Sequence, residues 1–351
     1  MLTHYAYTLK GHLLAQTAIA VSYIDLDGKL PRTPHGKAYL NGGTLRGPLR
    51  KAALNVALRE VAGEKGMTLG QMYMIGQGVD TSREVNNEST EKFYDPIAEQ
   101  RLRELNPFLN LMGRWKLAGR LEVQPLLTTV ENLTLSGQGV RHDQFERDPN
   151  LVEWLSEQER DRLLKMVASA HSSMDDLNAL REETKATKKA YRNTTDDGER
   201  QRLGEKLNTL KDQEKAIKEA REGSSESIKH PISGYESIAP GSELSSTLRI
   251  ANGTAVDLGL LLHTLAEFSL DPRLGGHRGV GFGAVSGEWS VYQRGPGELR
   301  ATEIGCVRLD DLGFVMEGAM LDEAWQAFRD AIPRMDLSAY LLEQARDSRE
   351  A

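Results

Sequence analysis

Three groups of residues in this chain have types and spacings that could do chemistry. The first is the run 274–285, Leu-Gly-Gly-His-Arg-Gly-Val-Gly-Phe-Gly-Ala-Val. Gly275, Gly276, Gly279, Gly281 and Gly283 lack a Cβ, so backbone can approach a ligand closely there. Free N–H groups in such a loop form a concavity for phosphate oxygens. His277 and Arg278 add basic side chains to it. The second group is Arg46 and Arg50. Arg46 and Arg50 fall one turn apart at the expected start of a helix, where free N–H groups already favour anions. The third is Asp25 and Asp27, two carboxylates at i and i+2 that could hold Mg²⁺ beside a scissile phosphate, with His35 as a nearby acid or base. The same two aspartates, just before Gly28, also suit a plain turn.

The glycine run fits no familiar nucleotide motif. A dinucleotide fingerprint needs a strand before it and a helix after it, and here the pattern is helix first. A kinase loop needs a strand lysine and a His-Arg-Asp loop, and a Walker loop needs Gly-Lys-Ser/Thr; all are absent. Gly276-His-Arg-Gly279 does have the Gly-x-x-Gly form that clamps nucleic-acid backbone.

The elements that must position these groups read as two similar halves. Tyr5, Tyr7, Leu9, Leu13, Ala15, Ile19 and Val21 occupy alternate positions, predicting a long strand with Gly11 at a bend or bulge. Leu45, Leu49, Ala52, Ala53 and Val56 recur at helical spacing, predicting a helix over about 44–62 with Pro48 near its first turn. A helix is expected over 96–105, and residues 108–116 are read as leading into a strand over 120–125. In the second half, 244–250 alternate as a strand, and Thr254 and Asp257 can form a capping box. Leu258, Leu261, Leu262, Leu265 and Phe268 make a buried helical stripe, and the glycine loop leads into a strand. A short strand over 303–309 and a helix around Trp325 follow. Strand–helix–strand twice is the split ferredoxin-like (RRM-like) arrangement, an α+β fold.

Between the halves, residues 151–222 read as a charged αα-hairpin, with Leu177, Leu180 and Tyr191 facing Leu203, Leu207, Leu210 and Ile217. A hairpin over 177–220 with so thin a seam is expected to be dispensable for folding of the rest. His142 and His263 are lone histidines with no assigned role.

Composition narrows the class. The 351 residues are 39% hydrophobic with a net charge of −7, a globular rather than wholly basic chain. Yet Lys29, Arg32, Lys37, Arg46, Arg50, Lys51 and Arg59 follow one another from 28 to 59 with no acid between them, which predicts a local basic stripe. Cys306 is the only cysteine, which excludes an internal disulfide and a thiolate zinc cage and suits the cytoplasm. No run reaches the ~18 apolar residues of a membrane helix.

Four segments together resemble the RAMP superfamily. Ala38-Tyr-Leu-Asn-Gly-Gly-Thr-Leu-Arg-Gly-Pro-Leu-Arg is similar to its conserved Gly/Ser turn and Leu-Arg/Lys-Gly-x-Leu-Arg segment. Tyr235-Glu-Ser-Ile-Ala-Pro-Gly-Ser-Glu-Leu resembles its strand after the thumb, 274–285 its glycine loop, and Asn110-Leu-Met-Gly its Leu-Phe-Gly motif with Met in place of Phe. Their order resembles a CRISPR effector backbone subunit, the seventh Cas family, most of all the type IV version. The resemblance implies a palm over 1–130 and 228–300, with a helical finger insertion at about 63–118. It implies a β-hairpin thumb with the large helical insertion over 131–227, and a C-terminal strand and helix over 301–351 on the palm. It further implies guide RNA (crRNA) bound by Thr44, Arg46, Arg50, Lys51, Gly275, Gly276, His277, Arg278 and Gly279. Further copies of the chain, other effector subunits and a base-paired target DNA or RNA are the implied partners. No cofactor, metal or membrane is implied. Type III relatives cut target RNA with an aspartate after the first strand, so a ribonuclease using Asp25 and Asp27 is the alternative to a non-catalytic subunit.

Overall fold

A computed structural model describes residues 4–21, 29–81, 95–129, 134–141, 149–194, 196–219 and 230–339. They fall into two compact units, 1–137 with 234–351, and 138–233. Asp25, Asp27 and His142 lie outside the described residues.

The first unit is a mixed helix and antiparallel-sheet structure, hence α+β. Its strands are β1 (Tyr5–Ala15), β2 (Tyr39–Leu40), β3 (Leu121–Val123), β4 (Leu126–Thr128), β7 (Glu243–Gly253), β8 (Val285–Arg294), β9 (Thr302–Asp310) and β10 (Gly313–Glu317). They form one sheet in the order β10-β9-β8-β1-β7-β4-β2, with β3 also paired to β7. β1 is central: Leu13 lies opposite Leu244 on one side and Gly287 on the other. The face carrying Tyr7, Leu9 and Leu13 is buried, whereas Lys10 and Leu14 on the alternate face are exposed, as period-two patterning requires.

Over the buried face lie α1 (Gly43–Val56), α7 (Ala255–Phe268) and α8 (Ala319–Ala331), which share one apolar core with the strands. α7 starts with the expected capping box: Thr254 and Asp257 bond each other's backbone N–H. Asp257 also accepts from Asn110 Nδ2 at 2.6 Å, tying α7 to α4 (Pro107–Met112). Two further helices, α2 (Leu69–Gln77) and α3 (Pro96–Leu105), pack beside α4.

Three local expectations change. Gly11 is not a bulge; it pairs in register with Ser246 and Trp289, and a Cβ there would lie 1.9 Å from the Glu288 carbonyl oxygen. Residues 107–112 form a buried helix rather than a lead-in to a strand, started by Pro107 and capped by Asn106, whose side chain accepts from Leu109 N–H. α1 ends at Val56 and a π-helical turn, Ala57–Ala62, completes the helix expected to 62.

His263 on α7 is stacked on Trp325, ring centroids 3.5 Å apart, with Phe328 beside them. Burial lowers its pKa from 6.5 to about 4, so it is neutral in the fold. The unfolded chain binds that proton more readily. Stability is therefore complete above about pH 6.5 and declines as pH falls towards 4, by about 3 kcal/mol. Urea unfolding at neutral pH and near pH 4 should show His263→Phe losing less stability than wild type by that amount. Parallel losses would remove His263 as the cause.

The second unit contains an antiparallel helical hairpin, α5 (Glu157–Asn193) and α6 (Asp197–Glu219). Its seam includes buried Thr187 and Leu210, with a Lys206–Glu183 ion pair at 2.8 Å and Arg200 over the Tyr191 ring. β5 (Thr134–Arg141) and β6 (His230–Ile238), which flank the hairpin in sequence, pair with each other. β5 and β6 bracket residues 142–229 and pair with each other, so replacing 142–229 with a Gly/Ser linker should leave one cooperative urea transition for the sheet unit. Insoluble protein would show that the sheet unit depends on the insert. Among the described residues no helix is long and apolar enough to cross a membrane, and no cluster of three His, Cys, Asp or Glu could hold a metal ion.

Candidate nucleic-acid interface

The start of α1 is set by two glycines. A Cβ on Gly42 would lie 2.0 Å from the Val123 carbonyl oxygen, so only glycine lets α1 begin against β3. Gly43 faces open space. Beside them runs a groove of about 920 Å³, lined by Gly43, Arg46, Arg50, Arg114, Trp115 and Lys116 among others. Glu122 is the one carboxylate among its described lining residues, and it faces Arg249 at 3.9 Å. The described lining thus carries four cations and one carboxylate.

The expected α1 residues divide into different roles. Arg46 is half-buried and donates Nη2 to the Met112 carbonyl at 2.7 Å. Arg50 is committed more deeply. Its Nε bonds Ile75 O at 2.7 Å, and its two Nη atoms bond Met74 O, Met112 O and Gly113 O at 2.7–3.3 Å. Met74 and Ile75 lie in the last turn of α2 and Met112 ends α4; helix-end carbonyls run short of intrahelical donors, although Met74 O also accepts from Gly78 N–H at 2.9 Å. Arg50 thus caps two helix C-termini, an arrangement that also favours a cation at the negative ends of both dipoles. Burial, then the nearby Arg46 charge, lowers its pKa to about 10, so it stays charged at neutral pH. Thr44 is buried in the first turn, and Lys51 is exposed outside the described groove lining.

The basic stripe over 28–59 does not persist as a stripe. Arg32 pairs with Glu236, which also accepts from Leu30 N–H at 2.8 Å. Arg59 pairs with Glu60 and with Glu267, the latter at 2.6 Å. Lys37 Nζ donates to Thr129 O at 3.2 Å. Glu236 and Glu267 are remote in sequence, so an acid-free stretch of chain is not an acid-free surface.

The glycine loop is held by the segment after β1. Gly276 N–H donates to Ala20 O and Gly283 N–H to Ala18 O, both at 2.8 Å. Gly275 has φ +72° and packs so closely on Ala20 that a Cβ would lie 2.0 Å from its carbonyl oxygen. His277, φ +56°, is exposed, and Gly279 has nothing within 4 Å of a built Cβ. Arg278 curls back, donating to Arg273 O at 2.9 Å and Gly275 O at 3.3 Å. The outer part of the loop, His277 to Gly279, is thus presented on a tied base.

The two basic elements do not share a pocket among the described residues; no residue of 275–279 lines the groove at α1. The loop precedes β8 and the groove borders β3, with β1 and β7 between them, three strand spacings or about 14 Å laterally. A ligand touching both must be extended. Sequence reasoning missed Arg114, Trp115 and Lys116 as groove residues. The signal was available as an aromatic between two cations, Arg-Trp-Lys, directly after Gly113.

No family model matches this chain, and no curated protein matches it. Among solved structures it is similar to a chain of a "Type IV-B CRISPR Complex", at 14% identity and a TM-score of 0.38, covering 85% of this chain and 93% of that one.

Proposed function

We propose that the chain is a guide-RNA-binding backbone subunit of a type IV-like CRISPR effector, built as a ferredoxin-like palm and without catalytic activity of its own. The observation that carries the reading is the groove at the start of α1: Arg46, Arg50, Arg114 and Lys116 against Glu122, beside Gly43. The sheet supports the palm, since β8-β1-β7-β4 flanks a strand–helix–strand repeat in the order expected of that fold. The four RAMP-like segments supply the class of ligand. In this reading Arg46 and Lys51 contact phosphates, Arg50 holds the groove wall, and the outer glycine loop receives the strand further along. Copies assemble along the guide, which pairs with a target while protein holds the backbone.

Phosphate contacts carry no sequence information, so unrelated single-stranded RNAs of equal length should bind alike. The slope of log K against log salt should fall by roughly 0.7 in Arg46→Ala, one contact on a single strand. A preference above about tenfold for one sequence, or an unchanged slope, counts against the backbone grip. Labelled complementary RNA incubated with assembled protein and Mg²⁺ should stay intact; cuts that disappear in Asp25→Ala would replace the non-catalytic reading with the nuclease.

A further inference from the structure

Trp115 is 79% exposed, although burying an indole is among the larger apolar gains a side chain can make. It lies in a tight reverse turn. Arg114 and Leu117 exchange both backbone hydrogen bonds at 2.9 Å, leaving Trp115 and Lys116 at the tip. The Trp115 backbone is held on both sides: its N–H donates to Gly78 O at 3.1 Å, and its carbonyl accepts from Arg114 Nη1 at 2.8 Å. Lys116 has φ +66°, a left-handed conformation that a side-chain-bearing residue adopts at a cost of about 1–2 kcal/mol. The turn therefore fixes the backbone from which an exposed aromatic ring projects. On either side in sequence are cations, and across the groove is Arg46.

We propose that Trp115 is a base-stacking platform: one unpaired base of a single-stranded RNA lies on the indole while the groove cations hold the adjoining phosphates. The choice of occupant follows from charge. An apolar protein partner would have to cover the Arg46 guanidinium, which is bonded to the neutral Met112 carbonyl, without supplying a counter-charge, whereas a nucleotide presents a flat π-face and an anion within one residue. Gly43, with nothing near where its Cβ would lie, leaves room for the sugar–phosphate backbone to pass. This inference rests on the nucleic-acid reading above and adds a contact to the bases, which that reading does not contain.

The test uses the full chain, freed of bound nucleic acid, with two probes: unstructured oligouridylate and an abasic oligonucleotide of equal length. Stacking on an aromatic contributes about 1–3 kcal/mol per base, so Trp115→Ala should weaken oligouridylate binding roughly 5- to 150-fold. Trp115→Phe should recover most of that loss. The abasic strand should bind both variants as it binds wild type, and the salt slope should not move, because no charge is removed. Oligouridylate should quench the fluorescence of wild type more than that of Trp115→Phe, because both proteins share Trp154, Trp289 and Trp325 and differ only in the ring at 115. An unchanged urea midpoint in Trp115→Ala, expected for so exposed a side chain, separates binding from folding. Wild type that binds RNA while Trp115→Ala binds it equally well overturns the platform and leaves the nucleic-acid reading standing. The same result accompanied by loss of self-association assigns the ring to a contact between copies and equally overturns it. Wild type that binds neither probe overturns both.

Discussion

Arg50→Ala should destabilise the fold by about 1–3 kcal/mol, the cost of leaving buried acceptors without their donor. At an exposed helix position such a change would cost about 0.5 kcal/mol or less. The difference is the four carbonyl oxygens of Met74, Ile75, Met112 and Gly113, which one guanidinium satisfies together. Alanine leaves them without that donor and releases the ends of α2 and α4 from α1. Arg50→Lys should recover only part of the loss, because a single ammonium cannot reproduce the planar fork. Urea unfolding with both variants decides the matter. A loss below about 1 kcal/mol would mean that water entering from the groove replaces the guanidinium. RNA affinity should be compared only under conditions where Arg50→Ala remains folded, since its effect on binding is expected to come through the groove wall.

The glycine loop should split by position into structure and contact. Gly275→Ala should cost about 2–4 kcal/mol, from a left-handed φ of +72° and a Cβ placed against the Ala20 carbonyl. Gly279→Val should leave the urea midpoint within about 0.5 kcal/mol, because nothing lies near that site, yet weaken RNA binding by filling the space a phosphate would use. Equal destabilisation by both would show that the outer loop packs as tightly as its base. A Gly279→Val protein that is stable and binds RNA normally removes the outer loop from the interface.

What was legible in the sequence was whatever local periodicity and capping encode. The strand over 244–250, the capping box of Thr254 and Asp257, the helix over 96–105 and the strand after the glycine loop all appear where residue spacing puts them. What was not legible depends on partners distant along the chain. Arg32 meets Glu236 and Arg59 meets Glu267, so the basic stripe is partly neutralised from beyond residue 230. Arg50 bonds main-chain carbonyls, which carry no residue-type signal at all. Residues 108–112 read as a strand approach because every side chain there is buried, and a helix buried on all sides loses its amphipathic period. Trp115 was overlooked for the opposite reason: its place in a groove is set by Gly78 and α1, neither adjacent in sequence.

The central position of β1 has a consequence in time. Both of its neighbours, β7 and β8, are made from residues beyond 242, so β1 leaves the ribosome more than two hundred residues ahead of either partner. At about 5–20 residues per second, β8 follows β1 by roughly tens of seconds. During that interval Tyr7, Leu9 and Leu13 have no sheet to enter, whereas the α5–α6 hairpin needs only its own contiguous residues and closes first. A nascent chain arrested before residue 243 would therefore hold a finished hairpin and an unfinished sheet. Its exposed first strand makes such a truncated product a ready client for chaperones and a ready seed for aggregation.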